Sequence, residues 1–227
     1  MQTEPLPIGA LARQALAVLE EDWRAIGALS AIVVGLPALL FADTLFAAIP
    51  GEMSLTRFAP TSLAMMVFAF VLVGGIKPVI ERRLADPSAP AETVSEAIGR
   101  ALPELIRAIP VALLLGVLTG VGFRLYWIPG IAAAVLWCVS VPEAIDRDLG
   151  PGEALDAGAR LTRGHRTQLT LLLVGVWAAT VLVTSVAAAI FTIVGAASFG
   201  RALATIGIAA FWATLSIVVH RALTPAR

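Results

Sequence analysis

Two histidines (His165 and His220), one cysteine (Cys138) and one lysine (Lys77) stand beside fifteen arginines and sixteen carboxylates in this 227-residue chain. A closed zinc site takes four cysteine or histidine ligands at close spacing. The three such residues here are too few and too scattered for a local site, and His-x-x-x-His does not occur. GxxxxGK[ST], the phosphate-cradling loop, is absent as well. A nucleophile and its base would have to assemble around His165 or His220, each of which adjoins an arginine at the end of an apolar stretch. The expectation is therefore no metal, no cofactor and no enzyme activity, with His165 solvated and His220 at an interface.

Charges inside apolar stretches point to a second kind of chemistry. An ionisable group at the centre of a bilayer costs about 2.5–3.5 kcal/mol or more, so such groups mark transport paths. Asp43, Lys77 and Glu143 are the candidates for an intramembrane polar path, although each stands near the end of its stretch. Glu143 paired with Lys77 or Arg107 would line an inward cavity; the alternative is that all three side chains reach the headgroups. From Glu143 to Asp156 the chain carries five acids and one arginine, and then Arg160, Arg163 and Arg166 follow without an acid. Acids at a helix start, Glu153 among them, and bases at its end complement the helix dipole. The same arginines could bind anionic lipid headgroups at about 1 kcal/mol each, or this segment could dock a protein partner.

The elements that position these groups follow from composition. Hydrophobic residues make up 59% of the chain and charged ones 14%, with a mean hydropathy of +0.90. Soluble domains carry roughly 45–50% apolar and 25% charged residues, so a water-soluble globule is excluded. The formal net charge of +0 excludes the basic field of a nucleic-acid binder. About 20 apolar residues cross the hydrocarbon core as a helix. Six stretches meet or approach that length: 25–45, 58–76 (closed by Lys77 and Pro78), 108–123, 125–142, 169–194 and 202–219. Long unbroken apolar runs exclude barrel strands.

The linkers after the first, third and fifth stretches hold one basic residue each, Arg57, Arg124 and Arg201, and the remaining thirteen fall on the other side. The positive-inside rule then places both termini in the cytoplasm, with Tyr126 and Trp127 at the outer boundary and Trp23 at the inner one. The start MQTEPLPIGA lacks the features of a secretory signal. The arginine bias suits a GC-rich bacterial genome, so a multi-pass protein of the bacterial inner membrane is expected.

Each pair of spans follows a segment with the pattern of an amphipathic interfacial helix. Ile8, Leu11, Ala15, Leu19 and Trp23 form the first apolar stripe; Val94, Ile98, Ala101, Leu102 and Leu105 form the second, after capping-box spacing at Thr93 and Glu96. Ala154, Leu155, Gly158 and Leu161 form a thinner third after Gly150 and Pro151. The fold class read here is an all-α integral membrane protein with six transmembrane helices and three such helices, arranged as a single membrane domain. Its units are 1–78, 79–124 with a hairpin reaching 142, and 143–227. Either the three are copies of one unit or the linkers are independently amphipathic. Small-residue spacings at Gly27, Ala31 and Gly35, at Gly116 and Gly120, and at Thr180, Thr184 and Ala188 could seat close helix contacts.

The stretch from Trp127 to Arg166 contains Pro129-Gly130, Pro142, Gly150-Pro151, Glu153-Ala154 and Leu161-Thr162-Arg163-Gly164 followed by Arg166. It resembles the membrane domains found beside glycerophosphoryl diester phosphodiesterases and their stand-alone, largely uncharacterised relatives. The family commonly has a serine–tryptophan pair where Ala157–Ala159 stand. The resemblance implies a membrane domain whose enzyme carries its chemistry in a separate soluble barrel, and two histidines do not supply that catalytic part. A non-enzymatic membrane protein contacting anionic lipid or a partner at its cytoplasmic face is the function read from all of this. A small-molecule or lipid transporter, or a channel subunit, is the alternative.

Overall fold

A computed structural model describes residues 6–40, 55–125, 127–193 and 195–224. Asp43, the far end of the first expected span and Tyr126 lie outside the described residues. Every regular element among the described residues is helical. Helix α1 (Ile8–Glu21) meets α2 (Trp23–Ser30) at Asp22, and a π-helical turn (Ala31–Gly35) carries α2 into α3 (Leu36–Leu40). Then follow α4 (Leu55–Ala85), α5 (Val94–Leu125), α6 (Trp127–Trp137), α7 (Ser140–Arg147), α8 (Pro151–Leu161), α9 (Arg166–Thr192) and α10 (Ala197–Leu223).

Among the described residues, five segments are long and apolar enough to cross a membrane: Ala64–Ala85, Val94–Gly122, Ile128–Arg147, Arg166–Thr192 and Phe199–Leu223. A sixth is reached if Ile8–Glu21 and Trp23–Leu39, bent by 91° at their junction, count as one broken span. Backbone amides in lipid must be paired within the chain, and helices of this length do so. The chain is an all-α membrane protein.

The three amphipathic segments take three different geometries. α1 lies nearly perpendicular to the helix after it and buries Leu11, Ala15 and Val18 against the bundle. The second segment does not end before its span: α5 is one helix of 32 residues, about 48 Å at 1.5 Å per residue. Thr93 and Glu96 start it reciprocally, with the Thr93 N–H donating to Glu96 Oε2 at 3.1 Å and the Glu96 N–H to Thr93 Oγ1 at 3.4 Å. No break interrupts it at Pro103 or Pro110. Such a helix exceeds the roughly 30 Å hydrocarbon core. The third segment, α8, is a separate element joined to α9 by a turn. Helix α4 also runs past Lys77 and Pro78, the expected end of the second span, as far as Ala85.

Helix α10 sits between two apolar clusters. Its Ala209, Ala210, Ala213 and Ile217 join a core built with α2, α4, α5, α7 and α8. Its Leu215, Val218 and Val219 face α1, α6 and α9 instead. Leu6 and Leu223 pack at the edge of that second cluster, so the two described chain ends meet at one end of the bundle, here called the termini end. Helix α9 is peripheral. Only 6% of its most apolar window is buried, against 44–56% in the other four spans.

Helices α4 and α5 approach closest where glycines remove side chains. A Cβ on Gly116 would stand 2.9 Å from Val67 N, and one on Gly74 3.2 Å from Glu104 O. Gly116→Ala should therefore cost about 1–3 kcal/mol by overpacking. Gly27 and Gly175 have open space where an added methyl group would stand, so alanine there should leave stability unchanged or raise it by about 0.4–1 kcal/mol. Thermal unfolding in detergent compares the three; equal melting temperatures for Gly116→Ala and the parent would refute the close contact. Of the expected small-residue seam on the first span, Gly35 meets Ile206 while Gly27 meets nothing.

Candidate functional site

At the termini end, α4, α7 and α10 bring six ionisable side chains together. α7 supplies Glu143, Asp146 and Arg147, spaced by three and four residues so that they share one helix face. Glu143 is 1% exposed, and its Oε2 lies 2.9 Å from His220 Nε2 on α10. Its Oε1 faces Arg147 Nε at 2.6 Å as an ion pair rather than an aligned hydrogen bond. Lys77 on α4, 4% exposed, donates to Asp146 Oδ1 and lies 2.8 Å from Glu81 Oε1 one turn on. His220 Nδ1 is 3.8 Å from Asp146 Oδ2, which joins the two halves.

The three members of this cluster that lie deepest are Lys77, Glu143 and His220; Glu81, Asp146 and Arg147 keep side-chain exposures near 40%. Three carboxylates, Glu81, Glu143 and Asp146, face Lys77, Arg147 and the His220 imidazole. Buried charges persist only when paired, and this set is. The arrangement supplies a polar lock between three spans.

The structure thus places Lys77 and Glu143 in one cluster but gives them different partners. Arg107 stands apart, 3.7 Å from Glu104. His220, read from sequence as an interface residue, is 3% exposed and central to the cluster. His165 is half-buried, its Nδ1 3.2 Å from Gln168 Oε1. Of the missing members, Asp146 was discoverable from its spacing to Glu143. The cross-helix contacts were not.

A second buried pair sits at the α1–α2 corner. Arg83 donates from Nε to Asp22 Oδ2 at 2.7 Å and from Nη2 to Asp22 Oδ1 at 3.0 Å. Its Nη1 donates to the carbonyls of Pro87 and Ala89 at 3.1 and 2.7 Å. The fork therefore ties the first bend to the end of α4 and to the following loop. In that loop the Ser88 hydroxyl and N–H both donate to Asp86 Oδ1, and the hydroxyl contact chiefly holds the Asp86 carboxyl below the usual carboxylate range.

The motif residues from Trp127 to Arg166 have structural tasks. Gly130 lies where α6 crosses Gly122 of α5, with Gly130 Cα 3.0 Å from the position of a Cβ on Gly122. Gly150 is extended at the start of α8, Pro151 opens that helix, and Glu153 Oε2 accepts from the Gly150 N–H at 3.1 Å. A Cβ on Gly158 would press into Ser140, so α8 packs tightly on α7 there. Thr162 is fully buried, and its hydroxyl donates back to Gly158 O at 3.0 Å. Gly164, at φ +96°, turns the chain in a conformation few other residues adopt.

Arg160, Arg163 and Arg166 lie on and beside this turn, Arg163 and Arg166 exposed and Arg160 with a largely exposed side chain. Arg160 pairs with Asp156 at 3.1 Å, whose side chain is largely exposed too. Arg166 donates to Ala159 O at 3.2 Å. Arg163 has no ion pair among the described residues. Comparison with protein-family models, with curated proteins and with solved structures finds no match to this chain.

Proposed function

We propose that this chain is a non-catalytic, multi-pass protein of the bacterial inner membrane, with its termini end in the cytoplasm. In this reading the turn between α8 and α9 binds anionic lipid headgroups. The observation that carries it is the exposure of the Arg160, Arg163 and Arg166 side chains around one short turn at the base of a span, with Arg163 unpaired among the described residues. Arg160 gives up little to join in, because exposed pairs such as that with Asp156 are worth about 0–1 kcal/mol. Glu153 supports the surface by closing the start of α8 rather than by touching lipid. The kinship of residues 127–166 with phosphodiesterase-associated membrane domains belongs to the same proposal.

At about 1 kcal/mol per arginine, replacing all three by glutamine should remove up to roughly 3 kcal/mol of preference for anionic lipid. The measurement is the ratio of phosphatidylglycerol to phosphatidylcholine that stays bound to the purified protein. An unchanged ratio with intact folding would sink the reading. A protein partner docked at the same face would show instead as a co-purifying chain lost in the triple variant while the lipid ratio stays constant. Transport is the second reading, favoured by the convergence of Lys77 and Glu143 in one buried cluster. Its test is solute flux into vesicles reconstituted with the parent chain.

A further inference from the structure

Helix α5 carries an exposed apolar stripe that is longer than the bilayer core is thick. Val94, Ile98, Leu102 and Ile106 succeed one another at four-residue steps, and the stripe winds on through Leu113 to Val121. These six side chains are 39–62% exposed. From Val94 to Val121 the helix rises about 40 Å at 1.5 Å per residue, against a hydrocarbon core of roughly 30 Å. The charged residues of the first half, Glu96, Arg100, Glu104 and Arg107, recur along a different line of the helix.

The surplus of the stripe is covered by lipid, by protein or by water, and three observations favour lipid. The stripe is continuous with the outer face of a membrane span, and no break at Pro103 or Pro110 separates the two parts. Trp23 is 61% exposed, with the Arg24 guanidinium 5.6 Å from its ring centroid. Its neighbour Asp22 accepts from the Glu92 N–H at 3.4 Å, so this indole stands level with the start of α5. Exposed tryptophan gathers at membrane–water boundaries. Arg100 and Arg107 keep side-chain exposures of 49% and 58%. Helical side chains lean toward the helix N-terminus, which for α5 is the termini end, so both guanidiniums reach outward while their stems lie along apolar surface.

We infer that phospholipid covers the whole of this stripe, so that α5 is both a span and an interfacial helix whose first three turns lie at the acyl–headgroup boundary. A helix longer than the core is accommodated by tilt or by local thickening of the bilayer, and either brings lipid to the level of Trp23. The buried charges are affected too. Leu105 fills the space beside Gly75 on the antiparallel α4, so Lys77, two residues on, stands level with Leu102, inside the lipid-covered length of the helix.

Spin labels on single introduced cysteines test this in the full chain, with the buried Cys138 replaced by alanine. Phosphatidylcholine vesicles without anionic lipid keep the result independent of the arginine turn. Electron paramagnetic resonance compares collisions with oxygen, which concentrates among acyl chains, and with a water-soluble nickel chelate. Oxygen should be favoured several-fold at Leu113→Cys and still favoured at Leu102→Cys. The ratio should fall gradually toward Ile98→Cys without reaching that of Ser88→Cys, in the exposed loop before α5. Ile106→Cys serves if either stripe variant fails to fold. Ratios at Ile98→Cys and Leu102→Cys equal to that of Ser88→Cys would overturn the inference, because the first turns would then stand in water. Protection from both probes would overturn it as well, with a second copy as the cover, and dipolar broadening between labels would identify that copy.

Discussion

Glu143→Leu is expected to lower the stability of the detergent-solubilised protein by about 3–5 kcal/mol, the usual cost of removing one partner from a buried ion pair. The cost falls on what is left behind. His220, 3% exposed, loses its 2.9 Å contact and retains Thr224 Oγ1 at 3.4 Å and the more distant Asp146. Arg147, at 41% side-chain exposure, can turn to water and relieves part of the loss. Replacing both members by apolar residues of similar size is often neutral, so Glu143→Leu with His220→Phe should recover much of the deficit. The double-mutant cycle should give a coupling of about 0.5–3 kcal/mol. Cys138 provides the readout: it is the chain's single cysteine and is buried, so a thiol-reactive dye reports unfolding on heating. A Glu143→Leu protein that melts with the parent would show that the cluster does not lock the spans.

Asp22→Ala should have an effect of similar size and a more local signature. Both Asp22 and Arg83 are at least nine-tenths buried, and the guanidinium loses two of its four hydrogen bonds when the carboxylate goes. With only the half-exposed Glu21, 3.3 Å from Nη1, left as its ion partner, the buried guanidinium should cost up to about 3–5 kcal/mol. The Glu92 N–H also loses an acceptor at 3.4 Å. Because Asp22 stands at the 91° corner, α1 should loosen before the bundle does. Trypsin has exposed sites at Arg13 and Arg24 on either side of that corner, and cleavage there should accelerate well before global unfolding. Unchanged cleavage together with an unchanged melting temperature would count against the pair as the anchor of α1. Asp22→Asn, which keeps one acceptor and removes the charge, should fall between the parent and alanine.

That the chain is a set of apolar helices in a membrane was legible residue by residue, because hydropathy is a property of a local window of about 20 residues. So were the start of α5, where Thr93 and Glu96 cap locally, and the start of α8 at Gly150 and Pro151. Whether an amphipathic segment bends away, as at Asp22, or runs straight on, as through Pro103 and Pro110, was settled by what packs against it. The same holds for the charges: Lys77 and Asp146 are 69 residues apart, Glu143 and His220 77, and Asp22 and Arg83 61. No local spacing encodes such pairs.

Helices α9 and α10 show the limit most clearly. Their mean hydropathies are nearly equal, yet 56% of the α10 window is buried and 6% of the α9 window. Lipid and protein interior ask for the same side chains, so an apolar pattern cannot say which of the two a helix face will meet. Packing in three dimensions separates them, and with that separation come the buried cluster and the peripheral α9.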